Sequence, residues 1–342
     1  MNKANQQRQL EKMVDVFPVL YAMQATYFKS QGNQVIWDGE DDSSFDVIYT
    51  DDMQPKIDFI SLPYPDREFT RAKEKRWQVY GNYKMHPASH MLSSNLCWWG
   101  RCIFCQDTQR LEAGEKRGLR LVDHVIEEID DLIKHGYKEV FDDSGTFPIG
   151  SWLEEFCLKM IKSGRNKKIV IGINMKPIAE KVVPFKLMKQ AGFRFILVGV
   201  ESANQKTIDI IHKGQESENV IKNIKAMSDA GLEPHITSMF GYPWETHEEE
   251  MNTVRLVQHL LKKGYAKTAQ ASVYSPPRTL PDPNSTGHMY VPMIYEAYRS
   301  PEFWYRKLTD IKQWADVAYL FRGGRLVFEE YYRKLIARKF RK

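Results

Sequence analysis

Three of the four cysteines stand within nine residues, in the run NLCWWGRCIFCQ, as Cys97, Cys102 and Cys105. Three close thiols cannot all pair among themselves, and in a reducing compartment such a cluster binds metal or does redox chemistry. A closed zinc site wants four protein ligands, whereas a four-iron cluster on three thiolates leaves one iron open to a small molecule. Two arrangements follow: zinc on the three cysteines and a nearby histidine such as His90, or an iron–sulfur cluster with a free iron. Cys157 lies in an apolar helical pattern with Trp152, Phe156 and Met160 and is expected in the core.

The other polar stretches recur at fixed places. DDSGTF (Asp142, Asp143, Ser144), NMK (Asn174, Lys176), ESAN (Glu201, Ser202), GYPWE (Gly241, Tyr242, Pro243) and YSPPR (Tyr274) each follow a short β-rich run. Each of those runs follows a helix-like segment closed by glycine, as in HGYKEVFD, AGFRFILVGV and KGYAKTAQASVY. Val122, Val125, Ile126, Ile129, Leu132 and Ile133 recur at helical spacing before Gly136. Ser151 with Glu154, and Thr246 with Glu249, have capping-box spacing. The runs 169–173 and 195–200 are almost continuously apolar, as in strands buried on both faces of a parallel sheet. With a first strand just before Cys97, this predicts six β/α units from Ser89 to Tyr274. The expected fold class is α/β, a partial (β/α)6 TIM-like barrel that stays open for want of two further units. In such a barrel the loops after the strands line the active mouth, so the cysteines and all five polar stretches are expected there.

The chain has 342 residues, enough for one large domain with additions at both ends. The expected division is a small N-terminal α/β region and connector over 1–88, the barrel over 89–280 and a helical extension over 281–342. Forty-nine Lys and Arg against 44 Asp and Glu permit an anionic partner without requiring one. The N-terminus lacks an apolar signal core and no run is long enough to span a bilayer, so a cytoplasmic protein is expected. The terminal YYRKLIARKFRK has six basic residues in twelve, but reads first as the solvated face of a helix, and nucleic acid is not an expected partner.

The cysteine run, followed by FDDSG, VGVES and MFGYPWET in that order, resembles the radical S-adenosylmethionine enzymes. The similarity is greatest to the branch that carries a cobalamin-binding domain, although four residues rather than the commoner three separate Cys97 and Cys102. The resemblance implies that Cys97, Cys102 and Cys105 bind three irons of a 4Fe-4S cluster, and that the fourth iron chelates the methionine end of S-adenosylmethionine. Reductive cleavage would then give a 5'-deoxyadenosyl radical for C–H activation in a dry pocket, walled in part by Trp98, Trp99 and Phe104. It also implies an electron donor such as a flavodoxin or ferredoxin, while the aromatic residues around the motifs suit an apolar, peptide or cyclic substrate equally and the resemblance does not choose among methyl transfer, cyclisation and rearrangement.

Carried onto this sequence, the resemblance assigns Asp142, Asp143 and Ser144 to the methionine amino group, Asn174 and Lys176 to its carboxylate, and Glu201 and Ser202 to the ribose. Phe240, Gly241 and Tyr242 would lie against the adenine, with Tyr274 reaching the pocket from strand six. The plainer readings are turn residues for the Asp pair, a helix N-cap for Ser202, solvated surface for Lys176 and a tight turn at Gly241 and Pro243.

Residues 17–39 and LPYPDREFT resemble parts of the cobalamin domain and its connector, but no D-x-H-x-x-G cobalt-binding sequence is present, and His86 and His90 do not fit it. A reduced domain is expected, with no cobalamin on the isolated chain. The alternatives are a methyltransferase whose cobalamin domain comes from a partner, and a non-catalytic iron–sulfur or zinc protein.

Overall fold

The computed structural model describes residues 19–32, 35–36, 47–48, 58–68, 83–277 and 279–321. Residues 1–18, most of 33–57, residues 69–82 and the basic run 331–342 lie outside the described residues, and with them much of the cobalamin-domain resemblance over 17–39 and the helical reading of the C-terminal run.

Six parallel strands form one sheet in sequence order: β1 (Ala88–Met91), β2 (Glu139–Asp142), β3 (Val170–Met175), β4 (Phe193–Glu201), β5 (Glu233–Phe240) and β6 (Thr268–Val273). Every neighbouring pair is parallel, with helices in each connection, as the alternating pattern requires. This is the open six-unit α/β barrel expected. Val140, Ile171, Ile196, Val198 and Ile236 on the outer face pack against Ile129, Phe156, Met188, Ile224 and Leu260 of the helices, all buried in one cluster with Cys157.

The helix Val122–Lys134 puts its apolar stripe on the sheet and ends before Gly136, whose φ of 83° suits glycine. Thr246 and Glu249 form the capping box that starts His247–Lys262. Ser151 and Glu154 do not form one. Ser151 is the first residue of its helix, Ser151–Lys162, because Gly150, at φ 73° and ψ −147°, turns the chain one residue earlier.

The inner face carries a ring layer. His90 meets Phe141, Phe141 meets Phe195 and Phe195 meets His235, with centroids 5.9, 5.9 and 5.5 Å apart. Gly172 makes room, since a Cβ there would stand 2.7 Å from the Phe141 ring. Burial pushes His90 down to about 3 and His235 down to about 4, so both rings are neutral in the fold. Each folded value lies below the unfolded one. The stability they contribute is therefore present above about pH 6.5 and is lost as pH falls toward the folded values. His235→Gln should flatten the fall of unfolding free energy between about pH 6 and 4.5 by up to roughly 1.4 kcal/mol per pH unit. Urea denaturation across that range checks it, and an unchanged slope would refute it.

The C-terminal extension is helical in the described residues, with Gly287–Ile294 and Pro301–Thr309 flanking a 3-10 turn. It seals the far edge of the sheet: Ala269 donates its N–H to the Tyr298 hydroxyl at 2.7 Å, and Tyr290 stacks on Phe240. Ahead of the barrel, one helix, Val19–Ser30, and the parallel pair Val35–Ile36 with Val47–Ile48 are described. Among the described residues no helix is long and apolar enough to cross a membrane.

Candidate active site at the strand C-termini

The cysteine loop leaves β1 and is tied down at its backbone. The Cys97 N–H donates to the Asp107 carboxylate at 2.8 Å, Arg117 donates to the Cys97 carbonyl at 3.1 Å, and the Ile103 N–H reaches the Ile211 carbonyl at 3.2 Å. Both tryptophans donate across the mouth, Trp98 to the Phe147 carbonyl at 3.1 Å and Trp99 to the His212 carbonyl at 2.8 Å. The loop thus spans the ends of β2 and β4 and holds three half-buried thiols.

Burial pushes the Cys102 thiol up to about 11; the nearby Lys213 opposes this, while Cys105, Glu201 and Cys97 add to it. Cys105 is raised by burial and by Asp107, against the N–H groups of Asp107 and Thr108 at the start of the following helix, Gln106–Glu112. Metal loading onto these thiols therefore has to release protons.

Gly145 lies under the loop: a Cβ there would stand 2.6 Å from the Cys97 Cβ and 2.7 Å from the Asp107 carboxylate. Gly145→Ala should displace Cys97 and lower the iron bound after reconstitution at least several-fold with little change in secondary structure. Iron analysis beside far-UV circular dichroism tests this, and full loading of the variant would contradict it.

The strand pleat sorts the remaining candidates, because side chains alternate between the two faces. Asp143, Asn174 and Lys176 follow the inner-face residues Phe141 and Gly172 at intervals of two. Asn174 donates to the Asp143 carboxylate and to the Ser144 carbonyl, each at 3.2 Å. Burial pushes Asp143 up to about 6. Lys176 is only 5% exposed, so it is not solvated surface. Its ammonium lies 3.4 Å from the centre of the Trp99 ring and donates to the Gly214 carbonyl at 3.0 Å. Burial first, then the repulsion of Lys213, pushes it down to about 8.

Asp142 is fully buried on the other face and is engaged in the turn. It accepts from the Ser93 N–H and hydroxyl and from the Ser144 N–H, while the Ser144 hydroxyl takes the N–H groups of Ser93 and Ser94 at 3.0 and 2.8 Å. Asp142 and Ser144 therefore staple the loop after β2 to the segment that leads to the cysteines.

At the end of β4 a register shift sets Glu201 at φ 63°, a conformation uncommon for glutamate. Its carboxylate folds over Gly199 and pairs with Lys213 at 2.7 Å; a Cβ on Gly199 would collide with both. Burial opposes the Lys213 charge, but Glu201 and then the cysteines hold its ammonium above the ordinary range. Lys213 also lies over the Phe104 ring at 5.6 Å.

Ser202 is buried, donates to Glu245 at 2.6 Å and accepts from the Asn204 N–H at 3.1 Å. Asn204, not Ser202, is the N-cap of Gln205–Ile210. Tyr242, Trp244 and Tyr274 form an aromatic cluster with Phe104, Ile103, Ile208 and Ile211. Four separate segments meet there. The Phe240 side chain points away, onto Tyr290, so only its backbone belongs to the turn. Gly241, at φ 85°, donates its N–H to Glu250 at 2.6 Å, and burial pushes that carboxyl up to about 7.

Lys213, Asp107, Glu245 and Glu250 were not legible as site residues. Lys213 sits in an unremarkable HKGQ turn, and its role depends on the length of the preceding short helix. Asp107, two residues past the last cysteine, offered the one local signal.

Three half-buried thiols on one loop are a donor set that fits an iron–sulfur cluster. A zinc ion needs all its ligands about 2.3 Å or less from one point, whereas in a cluster each thiolate takes a different iron. His90, proposed as a fourth zinc ligand, stands in the inner ring layer against Tyr83 and Phe141.

The chain is similar in part to known proteins. The chain is 27% identical over 161 residues to an uncharacterized methyltransferase of Pyrococcus horikoshii, a match covering 46% of this chain and 34% of that protein. It therefore spans about a third of the curated relative's length. Among solved structures, the radical S-adenosylmethionine methyltransferase TsrM of Kitasatospora setae, with cobalamin and a 4Fe-4S cluster bound, is similar at TM-score 0.47 and 18% identity, over 56% of this chain and 37% of that one. Methylornithine synthase (PylB) is similar at TM-score 0.45 and 14% identity, over 68% of each chain. The Radical SAM superfamily description matches residues 91–257, from the end of β1 into the helix after β5. The matched segment, which carries the three cysteines and strands β2 to β5, is a Radical SAM superfamily domain.

Proposed function

We propose that this chain is a radical S-adenosylmethionine enzyme in which Cys97, Cys102 and Cys105 hold a 4Fe-4S cluster at the barrel mouth. The observation that carries the reading is the convergence of three half-buried thiols, the Lys213–Glu201 pair and the Tyr242 aromatic cluster at one end of a parallel sheet. When bound, a reduced cluster supplies the electron that cleaves a carbon–sulfur bond of S-adenosylmethionine. The residues of the chain supply the rest. Asn174 and Asp143 offer a donor and an acceptor to the methionine end, and Lys176, held against Trp99, offers a fixed positive charge to its carboxylate. Glu201 presents a carboxylate oriented by Lys213, suited to ribose hydroxyls, and the turn at Gly241 offers backbone to the adenine. Trp98, Trp99 and Phe104 exclude water from an apolar, peptide or cyclic substrate. The electron donor is a flavodoxin or ferredoxin of the same reducing compartment.

Anaerobic reconstitution is expected to give about four irons and four sulfides per chain. With dithionite and S-adenosylmethionine it should then release 5'-deoxyadenosine and methionine. Stoichiometric zinc without sulfide would overturn the cluster, and a loaded cluster without cleavage would favour an electron-transfer role. Cobalamin is not expected on the isolated chain: dialysis against hydroxocobalamin should leave none after desalting, and retention of about one equivalent would support methyl transfer instead.

A further inference from the structure

The opposite end of the barrel holds a cavity of about 540 Å³, within the range of small-molecule sites. It lies beneath the N-terminal ends of β4, β5 and β6, and residues 310–320 of the C-terminal extension close it. A strand of eight residues separates it by roughly 25 Å from the mouth.

Its charges do not balance. Lys84, Lys189, Lys267, Lys307 and Lys312 line it, against Glu233, Asp310 and Asp316. All three acids are already engaged: Glu233 with Lys84 and Arg194, each at 2.6 Å, Asp316 with Lys84, and Asp310 with Lys267. Among the described residues Lys189, Lys307 and Lys312 form no ion pair with an acid. Lys307 is turned inward between the Phe303 and Tyr319 rings, 5.8 Å from each. Burial pushes its ammonium down to about 8; Glu233 draws it back up, and Lys267 and Lys84 repel it. Lys189 is likewise lowered, by burial first and by Lys84, Arg194 and Lys312. Like charges crowded in a half-enclosed space call for a counter-ion. One carboxylate would match one lysine, whereas three ammonium groups match the two to three charges of a phosphate ester or pyrophosphate. Phe195, Ile311, Tyr319 and Leu320 supply an apolar wall beside them.

We propose that this cavity binds a phosphate-bearing organic molecule of nucleotide size, with its phosphates on Lys189, Lys307 and Lys312 and its organic part against Phe195 and Tyr319. Such a ligand bridges the barrel floor and the C-terminal extension, far from the cysteines.

Calorimetric titration of the full chain with inorganic pyrophosphate and with ADP tests this. One saturable site is expected for each, with ADP the tighter. Lys307→Gln and Lys189→Gln should each weaken both probes at least tenfold, while Lys307→Arg retains binding and shows that the fold survives change at this position. Lys162→Gln, on an exposed helix end, should change nothing. Excess S-adenosylmethionine should displace neither probe. Absence of saturable binding, equal weakening by Lys162→Gln, displacement by S-adenosylmethionine, or ADP no tighter than pyrophosphate would each overturn the proposal.

Discussion

Cys102→Ala is expected to abolish the iron–sulfur cluster. Each thiolate of a three-cysteine site holds a different iron, and among the described residues the nearby carboxylates and the fourth cysteine are not free to replace it. Asp107 is committed to the Cys97 N–H, Glu201 is paired with Lys213, and Cys157 is sealed in the helix-facing core. The broad absorption at about 400 nm and the bound sulfide should both disappear. Cys157→Ala should keep the full cluster and lose about 1 kcal/mol of packing free energy at a site with no solvent exposure. Equal cluster loss in the two variants would mean that the ligands are misassigned.

Lys213→Met is expected to be the most destabilising single change at the mouth. The side chains of Lys213 and Glu201 are only 10% and 8% exposed, so removing the lysine strands a carboxylate with its desolvation uncompensated. A loss of about 3–5 kcal/mol is expected by urea denaturation. The double variant Lys213→Met with Glu201→Leu should regain most of that stability, because two apolar side chains replace the pair. It should still fail to cleave S-adenosylmethionine, because the carboxylate offered to the ribose is gone. A single-variant loss below about 1 kcal/mol would show that water reaches the pair and that it is not the buried unit described. Full cleavage by the double variant would remove Glu201 from the site.

Much of this was written in local patterns. The glycine-ended helices, the apolar runs and the polar stretch after each strand are periodic, local signals, and they sufficed for six parallel units and for the place of the mouth. The cysteine spacing singled out the candidate donors, and the apolar pattern around Cys157 put it in the core, where it lies, because both depend on near neighbours in the chain. What the tertiary structure decided was direction and partnership. Asp142 and Asp143 are adjacent and chemically identical, yet the pleat turns one into the staple that holds the cysteine loop and leaves the other on the inner face with Asn174. Lys176 left two readings open, a carboxylate partner or solvated surface, and only the fold of the cysteine loop, which lays Trp99 against it, removes the second. The ring of Phe240 was turned from the mouth by the Gly287–Ile294 helix, which docks almost fifty residues later in the chain. Lys213 had no signature at all: its partner Glu201 is twelve residues away, and they meet only because β4 bends at its end and the following helix is two turns long. Local composition determines which groups are available and at which end of each strand they fall. Facing, burial and ion pairing are set by contacts between segments distant in the chain, and those exist only once the sheet has formed.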